Sequence, residues 1–386
     1  MDSMSCCQIV PPHLLARLAE AAEPEVARAA QRTLAVSRLH ADQRAVRSAQ
    51  VTTDGGTGAS GLIPPDLRER AEQSGDYQLP ADTVRSQADS SPPFRPDRTV
   101  YDAQHGTDLP GTKQRGEGDP ASADESVNEA YDGLGQTFAL YADAYNRNSL
   151  DGKGLPLIAS VHYDRNFDNA YWDGEQMVFG DGDGVYFSSF TDSVDVIGHE
   201  LTHGVTQYTA GLTYVGQSGA LNESISDCFG SMVKQRALGQ SAADADWLIG
   251  AGLFTAKVHG VALRSMKAPG TAYDDPHLGK DPQPADMSGY QDLPHDQSHD
   301  NGGVHINSGI PNHAFYLAAT AIGGNSWEGA GRIWYDVLTN ANLPKDVDFK
   351  GFAAASIKSA STVFGAGSAQ EQAVQQAWID VQVLGA

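Results

Sequence analysis

Apolar positions recur at helical spacing near the start of the chain and again over most of its second half. Residues 13–48 are rich in Ala, Leu, Arg and Glu, and Pro24 suits the first turn of a second helix. Residues 50–98 change to Gly, Pro, Ser and Asp, which predicts a mobile linker with at most one short helix. The pattern therefore predicts a helical arm, a linker and a separate body.

The body alternates between strand and helix patterns. The stretch SVNEAYDGLGQTFALYADAYN predicts an amphipathic helix, PLIASVHY a strand, and AYWDGEQMVFGDGDGVYF two strands around turns. Residues 192–207 and 222–238 have helical patterns, as does nearly every segment after about residue 310. Strand patterns therefore lie in the first half of the body, and almost only helical patterns follow them.

Composition narrows the class of protein. The chain has 386 residues, enough for two or three domains, and its formal net charge of −23 argues against nucleic acid or membrane as the main partner. Adjacent Cys6 and Cys7 with a distant Cys228 imply no disulfide framework. The first residues lack the charged and apolar regions of a Sec signal peptide, so we expect a cytoplasmic precursor or secretion by another route.

The stretch VIGHELTHGVTQ carries the first candidate chemistry. On a helix, His199 and His203 lie on one face with Glu200 beside them, and together they suit a zinc ion that needs a third ligand. Glu223 in GALNESISD is the candidate for that ligand, and Asp227 lies one turn further along the same helix face. Taken alone, these two acids would instead form a solvated helix face.

Together, HELTH and GALNESISD resemble the thermolysin family of zinc endopeptidases. Further similar stretches are NAYWDGEQMVFGDGDG, LRSM and DNGGVHINSGIPNHAFYL, and the likeness runs from about Arg98 to the C-terminus. The resemblance implies an α+β, thermolysin-like two-lobed fold, with an N-terminal α/β lobe and a C-terminal, mainly helical lobe. It further implies one catalytic zinc bound by His199, His203 and Glu223. It also implies that Glu200 is the general base for a zinc-bound water, with Asp227 orienting a ligand histidine.

The same resemblance implies the remaining residues of the site. His305 and Tyr214 would stabilise the oxyanion, and Asp300 would orient His305. The implied substrate-binding residues are Asn169, Ala170 and Arg264 for the main chain, and Phe190, Val196, Ile249 and Leu263 for a side chain. A pocket of this apolar kind implies cleavage on the amino side of large hydrophobic residues.

The arm also resembles part of this family. PPHL, at Pro11, Pro12, His13 and Leu14, is similar to a motif in the propeptides of the short, protealysin-like branch. This implies an autoinhibited precursor whose own propeptide is an intramolecular inhibitor. The implied boundaries are a helical propeptide at 1–50, a linker with the maturation region at 51–97, an N-terminal catalytic lobe at 98–220 and a helical lobe at 221–386.

Cys6 and Cys7 leave two alternatives open. One thiolate could bind the open zinc position, because thiolate is a strong zinc ligand. The other interpretation is that both cysteines are small apolar residues that pack beside Ile9 and Val10.

Calcium is the main departure from the long members of the family. Their double-calcium site corresponds here to Asp195, Lys234, Asp246, Leu248 and Ala251, so only two carboxylates remain. We expect this double site to be lost and Lys234 to pair with Asp195, Asp246 or both.

Two rival functions remain at this point. A zinc exopeptidase would need a group that recognises a free amino terminus, and no Gly-x-Met-Glu-Asn stretch is present. A catalytically silent binding protein on the same fold would normally lack the base or a ligand, and none is missing. An endopeptidase acting on proteins or peptides is the function that we predict.

Overall fold

A five-stranded sheet forms one side of the N-terminal lobe. The structure is a computed structural model that describes residues 8–20, 23–37 and 94–385. The strands are β1 (Arg98–Asp102), β2 (Thr112–Gly116), β3 (Leu157–Val161), β4 (Ala170–Trp172) and β5 (Met177–Phe179), in the order β2-β1-β3-β5-β4. The three central strands are parallel and both outer strands are antiparallel, so β4 lies at an edge that another chain segment can join.

The arm lies against this edge. Gln8 forms an antiparallel bridge with Tyr171 of β4, and two helices follow, α1 (Pro12–Ala19) and α2 (residues 24–37). Pro12 occupies the first turn of α1, where its missing N–H costs no hydrogen bond. Leu14, Leu15 and Leu18 recur on one face of α1 and are fully buried, so the arm shares the core of the body.

Three long helices position the centre of the molecule: α3 (Glu125–Tyr145), α4 (Val194–Gln207) and α5 (Gly216–Leu238). Helices α4 and α5 cross closely because glycine stands on both sides of the crossing. A Cβ on Gly198 would lie 3.0 Å from the Cα of Gly230, and a Cβ on Gly230 would lie 2.3 Å from the Asp195 carbonyl oxygen. Any larger side chain would push the two helices apart.

The C-terminal lobe is helical. Its helices are α6 (Asp300–Asn307), α7 (Gly309–Ile322), α8 (Ala330–Asn340), α9 (Phe349–Phe364) and α10 (Ala369–Asp380). Two short antiparallel pairs precede them, β6 (Leu248–Ile249) with β7 (Arg264–Ser265), and β8 (Asp274–Asp275) with β9 (Gly279–Lys280). One large apolar cluster extends through both lobes and includes side chains from the arm. No helix among the described residues is long and apolar enough to span a membrane.

The predicted α+β architecture is confirmed, with differences at some boundaries. The helix predicted at 222–238 begins earlier, at Gly216, because the glycines and serines of its first turns hide the helical pattern. The helical pattern at 13–48 is described only to residue 37, and most of the predicted linker lies outside the described residues. Strand β1 begins at Arg98, where that linker was predicted to end.

Candidate active site

His199, His203 and Glu223 meet where α4 crosses α5. The Nε2 atoms of the two histidines are 3.0 Å apart, and the Glu223 carboxylate lies 3.5 Å from His199 Nε2 and 3.4 Å from His203 Nε2. All three side chains are at most 1 % exposed. Among the described residues, these three form the group of metal-binding side chains whose ligand atoms converge within 4.8 Å.

The hydrogen bonds behind the histidines indicate what this site needs. His199 Nδ1 lies 2.8 Å from Asp227 Oδ1, and His203 Nδ1 lies 2.8 Å from Asn222 Oδ1. These acceptors hold a proton on each Nδ1, so both Nε2 atoms direct lone pairs towards each other. Glu223 Oε2, also buried, has no hydrogen-bond partner among the residues that the structure describes. Two lone pairs and a carboxylate in a dry site require a cation, and this ligand set suits zinc with one position open.

Asp227 is held rigidly in place. Arg264 donates from Nε and Nη2 to its two oxygens at 2.8 Å, and Asn312 Nδ2 donates to Oδ2 at 2.8 Å. Burial by itself would raise the pKa of Asp227, but Arg264 and His199 bring that pKa below its ordinary value. Asp227 is therefore an ionised carboxylate that fixes the orientation of His199.

Glu200 projects from α4 beside the two histidines. The backbone N–H of Trp172, on strand β4, donates to Glu200 Oε2 at 3.0 Å. The edge of the sheet thereby holds the carboxylate next to the ligand cluster, and the whole side chain is buried. This is a position from which a carboxylate can exchange protons with a group held at the metal.

Tyr214 and His305 face the cluster from the other side. The Tyr214 hydroxyl donates to Glu223 and lies 3.3 Å from His305 Nε2. Asp300 accepts from His305 Nδ1 at 2.5 Å and from the His305 backbone N–H at 2.9 Å. Burial would lower the pKa of His305, but Asp300 and then Glu223 raise it to about 9. His305 can therefore donate from Nε2 at neutral pH.

The predicted substrate-binding residues surround the same cleft. Asn169 directly precedes β4 and Ala170 is its first residue, while Arg264 lies on β7, where it pairs with Ile249 of β6. The Leu263 backbone N–H donates to the Ile249 carbonyl at 3.0 Å. The apolar members of this set are all buried in the main cluster: Phe190, Val196, Ile249 and Leu263.

Comparison with known proteins identifies the chain. Two sequence-family models match the chain. The thermolysin metallopeptidase catalytic domain matches residues 64–207, and the thermolysin metallopeptidase alpha-helical domain matches residues 210–383. The chain belongs to the thermolysin family. It is a zinc metalloendopeptidase by family and by its His-His-Glu site, as the sequence predicted.

Relatives within the thermolysin family match along most of the chain. An extracellular metalloprotease of Pectobacterium carotovorum subsp. carotovorum is 46% identical over 383 residues, 99% of this chain and 98% of that protein. The solved precursor of protealysin, from Serratia proteamaculans, is 45% identical with a TM-score of 0.80, covering 98% of this chain and all of that one. A thermolysin of Alicyclobacillus acidocaldarius subsp. acidocaldarius is 38% identical over 294 residues, 74% of this chain and 50% of that protein. The likeness to a precursor along the whole chain supports the predicted protealysin-type zymogen.

Several residues of the site were not predicted from the sequence. Asn222 and Ser226 both contact His203 Nδ1, and Asn312 holds Asp227. Asn222 stands directly before Glu223 in the sequence, a signal that could have been used. Gln8 and its two successors enter the cleft itself, whereas Cys6 and Cys7 lie outside the described residues.

Proposed function

We propose that this chain is the autoinhibited precursor of an endopeptidase that cleaves on the amino side of large hydrophobic residues. In this proposal Glu200 is the general base, and His305 and Tyr214 stabilise the oxyanion. The arm, residues 8–20 and 23–37 of the described chain, occupies the cleft as an intramolecular inhibitor.

One observation carries this proposal. The main chain of the arm contacts the groups that the family resemblance assigns to substrate: His305 Nε2 lies 2.9 Å from the Gln8 carbonyl oxygen, and Arg264 Nη1 donates to the Ile9 carbonyl at 3.0 Å. Asn169 also binds the arm, since its Oδ1 accepts from the Val10 backbone N–H at 3.0 Å. A substrate cannot use these groups while the arm is docked.

The proposed chemistry follows from the position of each side chain. A zinc ion held by His199, His203 and Glu223 would polarise the scissile carbonyl and lower the pKa of a water molecule. Glu200 accepts a proton from the attacking water and delivers it to the leaving nitrogen. His305 and Tyr214 donate to the carbonyl oxygen as it gains negative charge, and Asp300 keeps His305 in the donating orientation.

The part of the arm that lies in the cleft favours an endopeptidase over an exopeptidase. At least seven residues precede Gln8 in the sequence, so the cleft binds the interior of a chain rather than a free amino terminus. The silent alternative is disfavoured because the base, the three ligands and both oxyanion donors are all present and close together.

The apolar pocket supports the preference for large hydrophobic residues. Ile9 follows the carbonyl that faces His305, and its side chain is fully buried in the apolar cluster that contains Phe190, Val196, Ile249 and Leu263. An acidic side chain at this place would be desolvated without a partner cation.

The proposal includes a body without the double-calcium site. Lys234 Nζ lies 2.9 Å from Asp246 Oδ2 and 3.3 Å from Asp195 Oδ2, and it also donates to the Leu248 carbonyl at 3.2 Å. An ammonium group in the middle of these oxygens supplies the positive charge that calcium supplies in relatives with more acidic ligands.

The test uses internally quenched peptides that are blocked at both ends. The protein is assayed before and after limited proteolysis of the arm. The two peptides of a matched pair differ only in the residue directly after the expected cut, which is Leu in one and Asp in the other. We expect cleavage before Leu, little cleavage of the Asp peptide, and a rise in activity when the arm is removed. Cleavage restricted to unblocked peptides would support the exopeptidase, and no cleavage would support the silent protein.

A further inference from the structure

The arm enters the cleft in a continuous register. Going along the chain, the Gln8 carbonyl meets His305, the Ile9 N–H donates to the Ala170 carbonyl at 3.3 Å, the Ile9 carbonyl meets Arg264, and the Val10 N–H meets Asn169. From the Gln8 carbonyl to the Val10 N–H, each successive main-chain polar group has a partner on the wall of the cleft. The arm is therefore bound as an added strand on the open edge of β4.

This register selects one peptide bond. If the proposed function holds, His305 binds the carbonyl that is hydrolysed and Arg264 binds the next carbonyl. Gln8 supplies the first carbonyl and Ile9 the second, so the bond between them lies at the position of a scissile bond. We propose that Gln8–Ile9 is a self-cleavage site and that the active site of the same chain cuts it in an early step of maturation.

The side chains fit the same register. Ile9 directly follows the bond and is fully buried, as expected for the large hydrophobic residue after a cut. Pro11 and Pro12 have no N–H to donate, so they could not replace Ile9 and Val10 in the hydrogen bonds to Ala170 and Asn169. The Pro-Pro segment thereby limits the paired stretch to the residues before it.

The cleavage is an ordinary hydrolysis. Water adds its hydroxyl to the Gln8 carbonyl carbon, the C–N bond to Ile9 breaks, and Glu200 passes the proton to the Ile9 nitrogen. The products are the octapeptide Met1–Gln8 and a chain that begins at Ile9.

The cut by itself leaves the cleft occupied. Arg264 and Asn169 still bind Ile9 and Val10, and the buried face of α1 still packs on the body. The linker keeps this product at high effective concentration. Full activity therefore requires a later step, either a cut in the linker or dissociation of the arm.

The full-length protein tests this inference by intact mass and N-terminal sequencing over time. We expect the wild-type chain to lose Met1–Gln8 at a rate that does not depend on protein concentration, and the Glu200→Gln chain to stay whole. Ile9→Leu should preserve the cut and Ile9→Asp should slow it at least about tenfold, because a carboxylate at this buried place would be desolvated without a partner. A rate proportional to concentration would overturn the claim that the chain cuts itself.

Hydrogen exchange gives a readout that does not depend on turnover. In the Glu200→Gln chain, the amides of Ile9 and Val10 should be protected, and Asn169→Ala should remove the protection of Val10. Rapid exchange at both amides would overturn the register. A wild-type protein that cleaves quenched peptides after removal of the arm, yet never yields a chain beginning at Ile9, overturns the self-cleavage site and leaves the proposed function intact. A protein that cleaves neither overturns both.

Discussion

Helix α4 carries two buried charged clusters one turn apart, and they satisfy their charges in opposite ways. At His199 and His203, two lone pairs and the Glu223 carboxylate converge, and no Lys or Arg of the described residues forms an ion pair with Glu223, although His305 Nε2 lies 3.5 Å from its Oε2. At Asp195, the Nζ of Lys234 lies 3.3 Å from the carboxylate and also bonds Asp246. The first cluster needs an ion from solution, and the second contains its own.

This difference distinguishes a metal site from an internal ion pair. Both clusters contain buried carboxylates, so the presence of acids does not distinguish them. The orientation of the neighbouring groups does: Asp227 and Asn222 direct the histidine lone pairs inwards, whereas Lys234 directs a positive charge inwards.

Replacing Glu200 should have the largest effect on activity. Glu200→Gln removes the proton acceptor but no ligand, so we expect peptide hydrolysis to be abolished while the protein keeps its zinc. Turnover of the arm-free protein on a quenched peptide measures this effect. Retention of even about a tenth of wild-type turnover would mean that another group is the base.

His305→Ala should lower kcat by about 10²–10³, the scale of losing one oxyanion donor. The assay must use protein without the arm, because His305 also binds the Gln8 carbonyl in the precursor. His313→Ala, on the neighbouring helix α7, is a matched control and should leave kcat near its wild-type value. A change in KM alone would contradict the oxyanion role.

Lys234→Met should destabilise the second cluster. Asp195 is 1 % exposed and would lose its cation, at a cost of about 2–3 kcal/mol, whereas the half-exposed Asp246 should contribute little. Urea unfolding in the Glu200→Gln background, which prevents autolysis, compares this variant with the exposed control Lys267→Met. A large rise in the thermal midpoint of the native protein with calcium would show instead that the double site survives.

Asp168 predicts a smaller, pH-dependent effect where the arm meets the body. Its backbone N–H donates to Thr33 Oγ1 of α2, and its buried carboxyl has no hydrogen-bond partner among the described residues. Burial, and then the Asp183 carboxylate, raise its pKa from 3.8 to about 8, and they outweigh the opposing effects of the Asp183 backbone and of Arg32 in the arm. The associated stability is therefore complete below pH 3.8 and is lost as the pH rises through about 8.

The measurement is the urea midpoint of the Glu200→Gln chain between pH 6 and 8. The free energy of unfolding should fall by at most about 1.4 kcal/mol per pH unit, and Asp168→Asn should make this fall shallower. The control Asp108→Asn, at an exposed position, should leave it unchanged. His162 has a pKa raised to about 9 by its hydrogen bond to Asp181, so its contribution also declines with pH but remains in both variants. An equal slope in both variants would exclude Asp168 as the cause.

The sequence predicted the ligand cluster because its spacing is local. His199 and His203 share a helix face wherever that helix lies, and Glu223 lies on the next long helix. The close crossing that joins the two helices depends on Gly198 and Gly230, and glycines at a crossing leave no periodic signal. Contact between the helices therefore became visible only in three dimensions.

Short or unusual elements were not predictable. Strands β6 to β9 have two residues each, too few to show alternation, yet β7 positions Arg264. Helix α6 begins through Asn301, Gly302 and Gly303 with positive φ, so the predicted site histidine of this stretch is helical although its surroundings suggest a loop. The residues of the arm that enter the cleft, 8–10, directly precede its Pro-Pro segment, and no local pattern in the sequence marks them as cleft-binding residues.

We predict that α4 and α5 build a zinc site from His199, His203 and Glu223, with Glu200 outside the ligand set. Metal content of three purified full-length proteins tests it most directly: wild type, Glu200→Gln and Glu223→Ala, each treated with a chelator, incubated with equimolar zinc and separated from free metal. We predict about one zinc per chain in the first two and far less in Glu223→Ala, because two histidines alone do not complete the site. Full zinc in Glu223→Ala, or loss of zinc in Glu200→Gln, would contradict the claim.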